Sequence, residues 1–448
     1  MKRSLIHQHF AGCRKLAVSS WEEQTLVNSD TKLKFGRKII SVEEAQSLLS
    51  EYAKHTDIES VPISAAFGRR LAGAIFADHP VPHFRRSGVD GYAVCSKDIE
   101  QASPENPVVL RVIERIPSGT VPQFTVDSGL AARIMTGAPV PDGADCVVML
   151  EMTDALPLED AGMNSSQVSI KKNVSAGSNI TPIAGEIRVK DLLLEQGVRI
   201  GPGEAAILAT FGYSHVSVYR KPRVAIFSTG SELLNVEDAL QPGRIRNSNS
   251  YMLAAQVEAA GGEAVIMQAL SDNAEEVEAA LQGTLAKVDL VLTSGGVSVG
   301  DYDVLVDVFG RFTGKLLFNK VAMRPGTPTS AALWENKLLL ALSGNPGASF
   351  VGFELFAKPL IKAMAGSLAP YEEAVTAYLD VAYDKGSAYP RYVRGTKHVE
   401  KGCLRVKPSG IDKSSIMVSI KDADCLIQLP AGGRGFARDE CVLIYLIQ

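Results

Sequence analysis

Closely spaced cysteines are missing from this sequence. Its six cysteines are scattered, and no CxxC pair occurs among them. Structural zinc sites and disulfide frameworks depend on clustered thiols, so the pattern disfavours both kinds of site. We expect reduced, mostly buried thiols at Cys13, Cys95, Cys146, Cys403, Cys425 and Cys441.

Long apolar runs are also missing. No segment approaches the ~20 apolar residues that a transmembrane helix needs. Near the start of the chain, His7, His9, Arg14 and Lys15 interrupt the apolar stretch of a secretory signal. We therefore expect no membrane partner and a cytoplasmic location.

An excess of charge of one sign is absent as well. The chain carries 46 Lys and Arg against 50 Asp and Glu, a net charge of −4. This balance gives no basic footprint for nucleic acid. With 448 residues, 46% of them hydrophobic, the chain exceeds the roughly 250–300 residues at which single cores stop growing. Several globular domains are expected.

Changes of pattern along the chain predict a multidomain α/β and β protein. Short β-rich runs separated by turns predict a small β domain, and strands that alternate with helices after Arg223 predict a doubly wound parallel sheet. Renewed alternation near the end predicts a C-terminal β-barrel-like domain. The predicted segments are an N-terminal extension (1–38), an N-terminal helix packed on the central domain (39–57), a linking domain (58–85 and 185–216), a β domain (86–184), the doubly wound α/β domain (217–366) and the C-terminal β domain (367–448).

Several helix boundaries carry local signals. Ser41 and Glu44 fit a capping box, and Gly261-Gly262 is typical of a helix C-terminus. Either Asp272 or Asn273 is suited to cap a helix over 274–285. A long apolar helix is predicted from Ala348 to Met364, with a bend at Pro359.

Three loops rich in Gly, Ser and Thr leave predicted strands of the central domain, over 228–232, 293–303 and 343–347. Ligands of open parallel sheets bind beyond the carboxyl ends of the strands, and bare loop amides suit phosphate. A plain turn is the alternative for any single loop. The candidate substrate-binding residues in these loops are Ser228, Thr229, Gly230, Ser294, Gly295, Gly296, Ser298, Asn345 and Pro346.

Acidic residues follow the same strands. Glu232, Asp272, Asp301 and Asp303 each stand just past a predicted strand end. Carboxylate oxygens suit Mg²⁺, which shares phosphate oxygens with its protein ligands. The alternative is that an Asp only caps the next helix.

A proline-fixed turn between Lys320 and Pro328 places Lys320 and Arg324 where they can hold an oxyanion; a solvated hairpin is the alternative.

Taken together, six stretches resemble the molybdopterin molybdenumtransferase family, which includes bacterial MoeA and the C-terminal domain of gephyrin. The resemblance runs from about Ile39 to the C-terminus. The stretches are RRSGVDGYAV, IMTGAPVPDGADCVVMLE, RVAIFSTGSELL, TSGGVSVGDYD, KVAMRPGTP and LSGNPGASF, in the order of the family.

The resemblance implies a transferase that inserts molybdate into adenylated molybdopterin, with Mg²⁺, to give molybdenum cofactor and AMP. It implies a four-domain subunit that works as a homodimer, and it allows the adenylyltransferase of the same pathway as a partner. It also implies roles for individual residues, although the sequence does not separate the acid that positions water from those that hold metal. These roles are catalysis for Asp90, Glu232 and Asp303, metal binding for Glu232, Asp272 and Asp303, and substrate binding for Thr136. Apart from these roles, we expect the oxyanion to bind Lys320, Arg324 and Arg394.

Several positions depart from the family pattern. Arg86-Ser87-Gly88-Val89 stands where the family often has Asn-Ser-Ala-Met, and Thr181 replaces an Arg, Thr327 a Lys, Ser343 a Pro and Ala348 a Ser. Arg324, together with Arg391 or Arg394, is expected to supply the missing positive charge.

Two alternative functions remain open. An adenylyltransferase would resemble residues 223–365 alone, and the surrounding β domains argue against it. A scaffold without catalysis would not need the acids Asp90, Glu232, Asp272 and Asp303.

Overall fold

The computed structural model describes residues 39–157, 166–271, 273–296, 304–433 and 435–447. These residues form two compact units. The first unit takes in the described residues up to Ala72, Gly197–Gly201 and those from His215 onward. The second unit comprises Gly73–Gln196 and Pro202–Ser214. The finer division into domains over 39–57, 58–85 with 185–216, 86–184, 217–366 and 367–448 stays a prediction.

The helices and strands of the described residues are numbered in chain order. The helices are α1 (Val42–Ser50), α2 (Pro202–Thr210), α3 (Asn249–Ala259), α4 (Ala274–Leu285), α5 (Val304–Arg311), α6 (Pro346–Gly352) and α7 (Lys358–Met364), with a π-helical turn at Phe353–Ala357 and 3₁₀ turns at Ile63–Ala65, Ser96–Ile99, Leu150–Met152 and Val418–Ile420. The strands are β1 (Ile58–Pro62), β2 (Ile75–Phe76), β3 (Arg86–Ser87), β4 (Gly91–Val94), β5 (Val108–Ile116), β6 (Leu130–Ile134), β7 (Cys146–Met149), β8 (Thr153–Pro157), β9 (Ser166–Ile170), β10 (Ile180–Thr181), β11 (Leu192–Leu194), β12 (His215–Tyr219), β13 (Arg223–Ser228), β14 (Leu233–Leu234), β15 (Ile245–Arg246), β16 (Glu263–Ile266), β17 (Leu290–Ser294), β18 (Lys315–Phe318), β19 (Ser330–Trp334), β20 (Lys337–Leu342), β21 (Val375–Leu379), β22 (Arg391–Glu400), β23 (Cys403–Pro408), β24 (Cys425–Leu429) and β25 (Cys441–Leu446).

The central sheet of the first unit has the order β16-β13-β17-β20-β19-β18. The first four strands are parallel, and successive residues along each of them face opposite sides. Ile226 and Leu292 belong to one buried cluster with α1, α3, α6 and α7, whereas Ala225 and Val291 belong to another with α4 and α5. Because apolar cores cover both faces, the predicted doubly wound sheet is confirmed.

The far edge of this sheet differs from the prediction. β18 and β19 run antiparallel to their neighbours, so the sheet is mixed. The loop that joins them contains Lys320 and Arg324. Its apolar side chains Val321 and Met323 are fully buried, so a freely solvated hairpin is the wrong description.

The structure confirms the helix boundaries predicted from local sequence, with one exception. The Glu44 amide donates to Ser41 Oγ and the Ser41 amide to Glu44 Oε2, which confirms the capping box. Asn273 is the cap of α4, its side chain accepting from two backbone amides, and Gly261 follows α3 with a φ of +91°. The exception is the helix predicted from Ala348 to Met364. It begins at Pro346, and a π-helical turn interrupts it before α7, in which Pro359 is the second residue.

The last part of the first unit is a closed barrel in the order β21-β23-β22-β24-β25, as predicted. A separate apolar cluster fills it, with Val393, Val406, Ile427 and Ile444 almost fully buried. Closure leaves no unpaired strand edge. β22 begins at Arg391 and therefore places that side chain at one end of the barrel.

The second unit is built on a six-stranded sheet in the order β7-β4-β6-β5-β9-β8. Separate buried clusters lie on its two faces, one around Val94 and Val148 and the other around Ala93 and Val147. The sheet confirms the predicted β-rich character of this part of the chain.

Among the helices that the structure describes, none is long and apolar enough to cross a bilayer.

Candidate functional site

The glycine loops meet because β13, β17 and β20 are neighbouring parallel strands whose last residues pair with one another. Ser228 pairs with Ser294, and Ser294 pairs with Leu342. Backbone contacts continue past the strands: the Thr229 amide donates to Ser294 O at 3.1 Å, and the Gly295 amide donates to Leu342 O at 3.0 Å. The three loops therefore form one continuous floor at the carboxyl edge of the sheet.

Gly295 is a point of close contact between the loops of this floor. Its φ is +99°, which L side chains rarely adopt, and a Cβ built on it would lie 2.5 Å from Thr229 Oγ1. A Cβ on Gly344, from the third loop, would lie 3.4 Å from Gly295 Cα. Glycine at 295 is thus required both by backbone conformation and by close approach.

A cleft of about 1260 Å³ opens above the floor. Its lining comes from the glycine loops, from the β18–β19 loop and from segments of the barrel. The lining residues include Thr229, Gly230, Glu232, Gly295, Gly296, Arg324, Thr327, Ser343, Asn345, Pro346, Ala348, Lys385, Arg391, Asp412, Lys413, Ser414 and Ser415.

The charged side chains of the cleft are mostly cationic. Arg324, Lys385, Arg391 and Lys413 line it, against the two carboxylates Glu232 and Asp412. The cleft is therefore positive although the chain as a whole carries −4. Such a site attracts anions from solution.

Asp412 orders the barrel side of the cleft. Its Oδ2 accepts a hydrogen bond from the Tyr383 hydroxyl and lies 3.6 Å from Lys385 Nζ and 3.9 Å from Arg391 Nη1. Burial, with the neighbouring Asp412 carboxylate, raises the pKa of Tyr383 far above its usual range, so the phenol stays a donor. No sequence motif marks Lys385, Asp412 or Lys413, and these residues reach the cleft only through the fold.

Two of the three residues predicted to bind an oxyanion do not line the cleft. Arg394 is 4% exposed, and its Nη2 donates to Lys413 O at 3.1 Å. Burial lowers the pKa of its guanidinium. Arg394 thus supports the loop that carries Lys413. Lys320 is not among the described residues that line the cleft either. Of Lys320, Arg324 and Arg394, Arg324 alone is among those described lining residues.

Some of the candidate substrate-binding residues line the cleft and others do not. Thr229, Gly230, Gly295, Gly296, Asn345 and Pro346 line the cleft. Ser228 and Ser294 are buried and do not. Ser298 lies outside the described residues.

Of the predicted metal ligands, Glu232 is the one that the structure describes. Its carboxylate folds over Gly230, where a Cβ would lie 2.3 Å from Glu232 Oε2. Glu232 lines the cleft, and carboxylate oxygens suit Mg²⁺. Asp272, Asp301 and Asp303 lie outside the described residues.

A second group of possible ligands, Asp380, His398 and Glu400, occurs in the barrel. Arg405 forms ion pairs with Asp380 and Glu400, so the carboxylates already have a cation.

Asp90 and Thr136 belong to the second unit, where they are in direct contact. Asp90 Oδ1 accepts hydrogen bonds from the Thr136 amide at 2.6 Å and from Thr136 Oγ1 at 2.7 Å. These bonds, backbone first, lower the pKa of the Asp90 carboxyl below its usual value, and Arg133 adds to the effect. The pair is exposed to solvent, so the ionised carboxylate is available to a ligand.

Comparisons with known proteins cover nearly the whole described chain. Residues 40–212 match the family model for the MoeA N-terminal region (domain I and II). Residues 225–363 match a probable molybdopterin binding domain. Residues 376–447 match the MoeA C-terminal region (domain IV).

Individual relatives agree. The chain is 43% identical to the molybdopterin molybdenumtransferase of Bacillus subtilis (strain 168) over 412 residues, covering 92% of this chain and 95% of that protein. It is 39% identical over 414 residues to the protein of the same name from Staphylococcus epidermidis strain RP62A, with coverages of 92% and 96%. The molybdopterin biosynthesis moeA protein from Pyrococcus horikoshii OT3 has a crystal structure that matches with a TM-score of 0.77 at 30% identity, covering 91% of this chain and 100% of that one. With three family models in order and relatives matched along almost their full length, the chain belongs to the molybdopterin molybdenumtransferase family.

Proposed function

We propose that this chain is a transferase that inserts molybdenum into molybdopterin, taking adenylated molybdopterin and molybdate as substrates and releasing AMP with the help of Mg²⁺. The observation that carries the proposal is the cationic cleft above the three glycine loops. Phosphate groups and molybdate are anions, and the cleft offers both backbone amides and four cationic side chains.

Different residues bind the two anionic groups, the adenylate phosphates and molybdate. The loops at Thr229–Gly230, Gly295–Gly296 and Asn345–Pro346 bind the phosphates of the adenylate, with Thr136 contributing to substrate binding. Arg324 binds molybdate from the central domain, and Lys385, Arg391 and Lys413 bind it from the barrel. This supply of cations offsets the Thr where the family pattern has Lys, at position 327.

The carboxylates serve in metal binding and in catalysis, and Glu232 and Asp303 take part in both. Glu232, with Asp272 and Asp303, would hold Mg²⁺; bound there, the ion would neutralise phosphate charge and polarise the bond to be cut. Asp90, kept ionised by Thr136, accepts a proton or orients a nucleophile, and Glu232 and Asp303 share the catalytic role that the family pattern gives them. Arg394 assists oxyanion binding by fixing the Lys413 loop, and Lys320 stays a candidate for the same task.

The quaternary and cellular context is part of the proposal. A homodimer would bring Asp90 and Thr136 of one subunit to the cleft of the other, and the adenylyltransferase of the same pathway would deliver the substrate. A reducing, cytoplasmic location is part of the proposal because the cysteines of the chain are scattered, with no CxxC pair among them. The adenylyltransferase alternative is disfavoured because family models also match outside residues 223–365.

One assay tests the function. Purified protein is supplied with adenylated molybdopterin, Mg²⁺ and molybdate, and AMP and molybdenum cofactor are measured together. We expect both products in equal amounts. Arg324→Ala should raise the KM for molybdate about tenfold or more, whereas Lys421→Ala, an exposed barrel cation paired only with Asp422 among its described ion pairs, should behave as wild type. Absence of AMP release from the wild-type protein overturns the proposal.

A further inference from the structure

The first residue of α3, Asn249, connects two of the glycine loops. Its side-chain amide Nδ2 donates to Ser294 Oγ at 2.8 Å, at the end of β17, and to Gly344 O at 2.8 Å, in the loop after β20. A primary amide has two hydrogens to donate, and both are used here. One side chain therefore fixes the distance between the second and third loops.

The neighbouring residues hold the first loop. Ser228 Oγ donates to Asn247 Oδ1 at 3.1 Å and lies 2.8 Å from Ser250 Oγ. Asn247 Nδ2 in turn donates to Ser250 Oγ at 3.0 Å. The segment Asn247–Ser250, which we name the loop brace, is thus hydrogen-bonded to all three loops. None of its four residues is among the described residues that line the cleft.

We propose that Asn249 is a positioning residue that sets the spacing of the second and third glycine loops, and through it the affinity of the floor for the adenylate phosphates. The inference rests on the proposed function for the identity of the ligand. Its geometric part stands on contacts between protein groups alone.

The chemistry of the contact excludes close analogues of asparagine. The Gly344 carbonyl oxygen can only accept and so needs a donor, whereas the Ser294 hydroxyl can also donate. A carboxylate of the same shape has no hydrogen to give the Gly344 carbonyl and would place negative charge beside it and beside the anion-binding loops. Asn249→Asp should therefore be more harmful than Asn249→Ala, although it changes the side-chain volume far less.

Gln256 provides a matched control on the same helix. It too is an amide with two acceptors, since its Nε2 donates to Glu354 Oε1 at 2.8 Å and to Phe350 O at 3.4 Å, although it is the more buried of the two side chains. Its partners belong to α6 and to the π-helical turn and not to the glycine loops. Gln256→Ala should lower stability without changing the loop spacing.

The first test is binding of AMP, measured by titration calorimetry without turnover. We expect Asn249→Ala to bind AMP about tenfold more weakly, Asn249→Asp more weakly still, and Gln256→Ala as tightly as wild type. Ser294→Ala should weaken AMP binding too, and adding Asn249→Ala to it should cost less than the two single losses combined, because the two residues act through one contact. Equal AMP affinity in Asn249→Ala and wild type overturns the proposal.

A ligand-free test separates this inference from the proposed function. Amide hydrogen exchange at residues 294–296 and 343–345 should speed up in Asn249→Ala and not in Gln256→Ala. If wild type neither binds AMP nor turns over but this exchange pattern appears, the proposed function fails and the positioning role stands. Unchanged exchange in Asn249→Ala refutes the positioning role whatever the activity.

Discussion

Replacing Gly295 by alanine tests the packing of the glycine loops. The residue has a φ of +99°, and the new Cβ would lie 2.5 Å from Thr229 Oγ1 and 3.1 Å from Thr229 O. A non-glycine residue held in such a conformation costs on the order of 1–3 kcal/mol. Forcing the Thr229 side chain off its rotamer adds about 0.5–1.5 kcal/mol. Gly295→Ala should therefore lower the free energy of unfolding of the central domain by about 1.5–4.5 kcal/mol.

The assay is urea unfolding followed by tryptophan fluorescence. The chain has two tryptophans, and Trp334 is 2% exposed in the core of the central sheet. A Trp21→Phe background leaves Trp334 as the single reporter of that domain. Gly283→Ala is the matched control: it lies in α4 with no atom within 4 Å of a new Cβ, and should stabilise by about 0.5–1 kcal/mol.

A double variant separates the two causes. Adding Thr229→Ala to Gly295→Ala removes the side-chain contact and should recover about 0.5–1.5 kcal/mol, with the backbone part remaining. If Gly295→Ala unfolds at the same urea concentration as wild type, the described conformation of the second loop is wrong. If Thr229→Ala recovers nothing, contact between the first two loops is not the reason for glycine at 295.

Three further predictions concern charge and reactivity. Because hydrogen bonds from Thr136 lower the pKa of Asp90, the stability that this carboxylate contributes is complete above the ordinary Asp pKa of about 3.9 and is lost as pH falls through the lowered value; a carboxyl ¹³C titration should show a midpoint below 3.9, and Thr136→Ala should raise it. Burial raises the pKa of Cys146 and of Cys425 to about 12, so N-ethylmaleimide at pH 8 should label exposed Cys403 at least about 100-fold faster than either, by peptide mass spectrometry; comparable rates would contradict the described burial. Lys385 is half exposed, so added salt should screen it and raise the KM for molybdate, whereas a KM independent of ionic strength would remove the cationic cleft from substrate binding.

Features with local causes could be predicted from sequence. The capping box at Ser41 and Glu44 depends on residues three positions apart. The meeting of the glycine loops follows from one general rule about parallel strands, applied to three strand ends. The antiparallel strands β18 and β19 were missed because Lys315–Phe318 is short, with no alternation of buried and exposed side chains.

Features that depend on distant contacts could not be predicted. The π-helical turn replaces a simple bend at Pro359, and one of its carbonyls, Leu355 O, accepts from Gln46 Nε2, which is 309 residues away. Asn249 meets partners 45 and 95 residues away, and no periodicity connects them. The same holds for Lys385 and Asp412, whose place at the cleft is set by the packing of the barrel on the central domain.

The direct contact of Gly295 with Thr229 and Gly344 has a thermodynamic consequence. A loop that is mobile before it binds phosphate must be ordered by the ligand, and this ordering lowers affinity. Here each loop is ordered by its neighbours, so the conformational entropy is lost when the domain folds. Ligand binding can then be fast and can show a small entropic penalty. For the same reason, a substitution that displaces any one loop should weaken phosphate binding by all three loops.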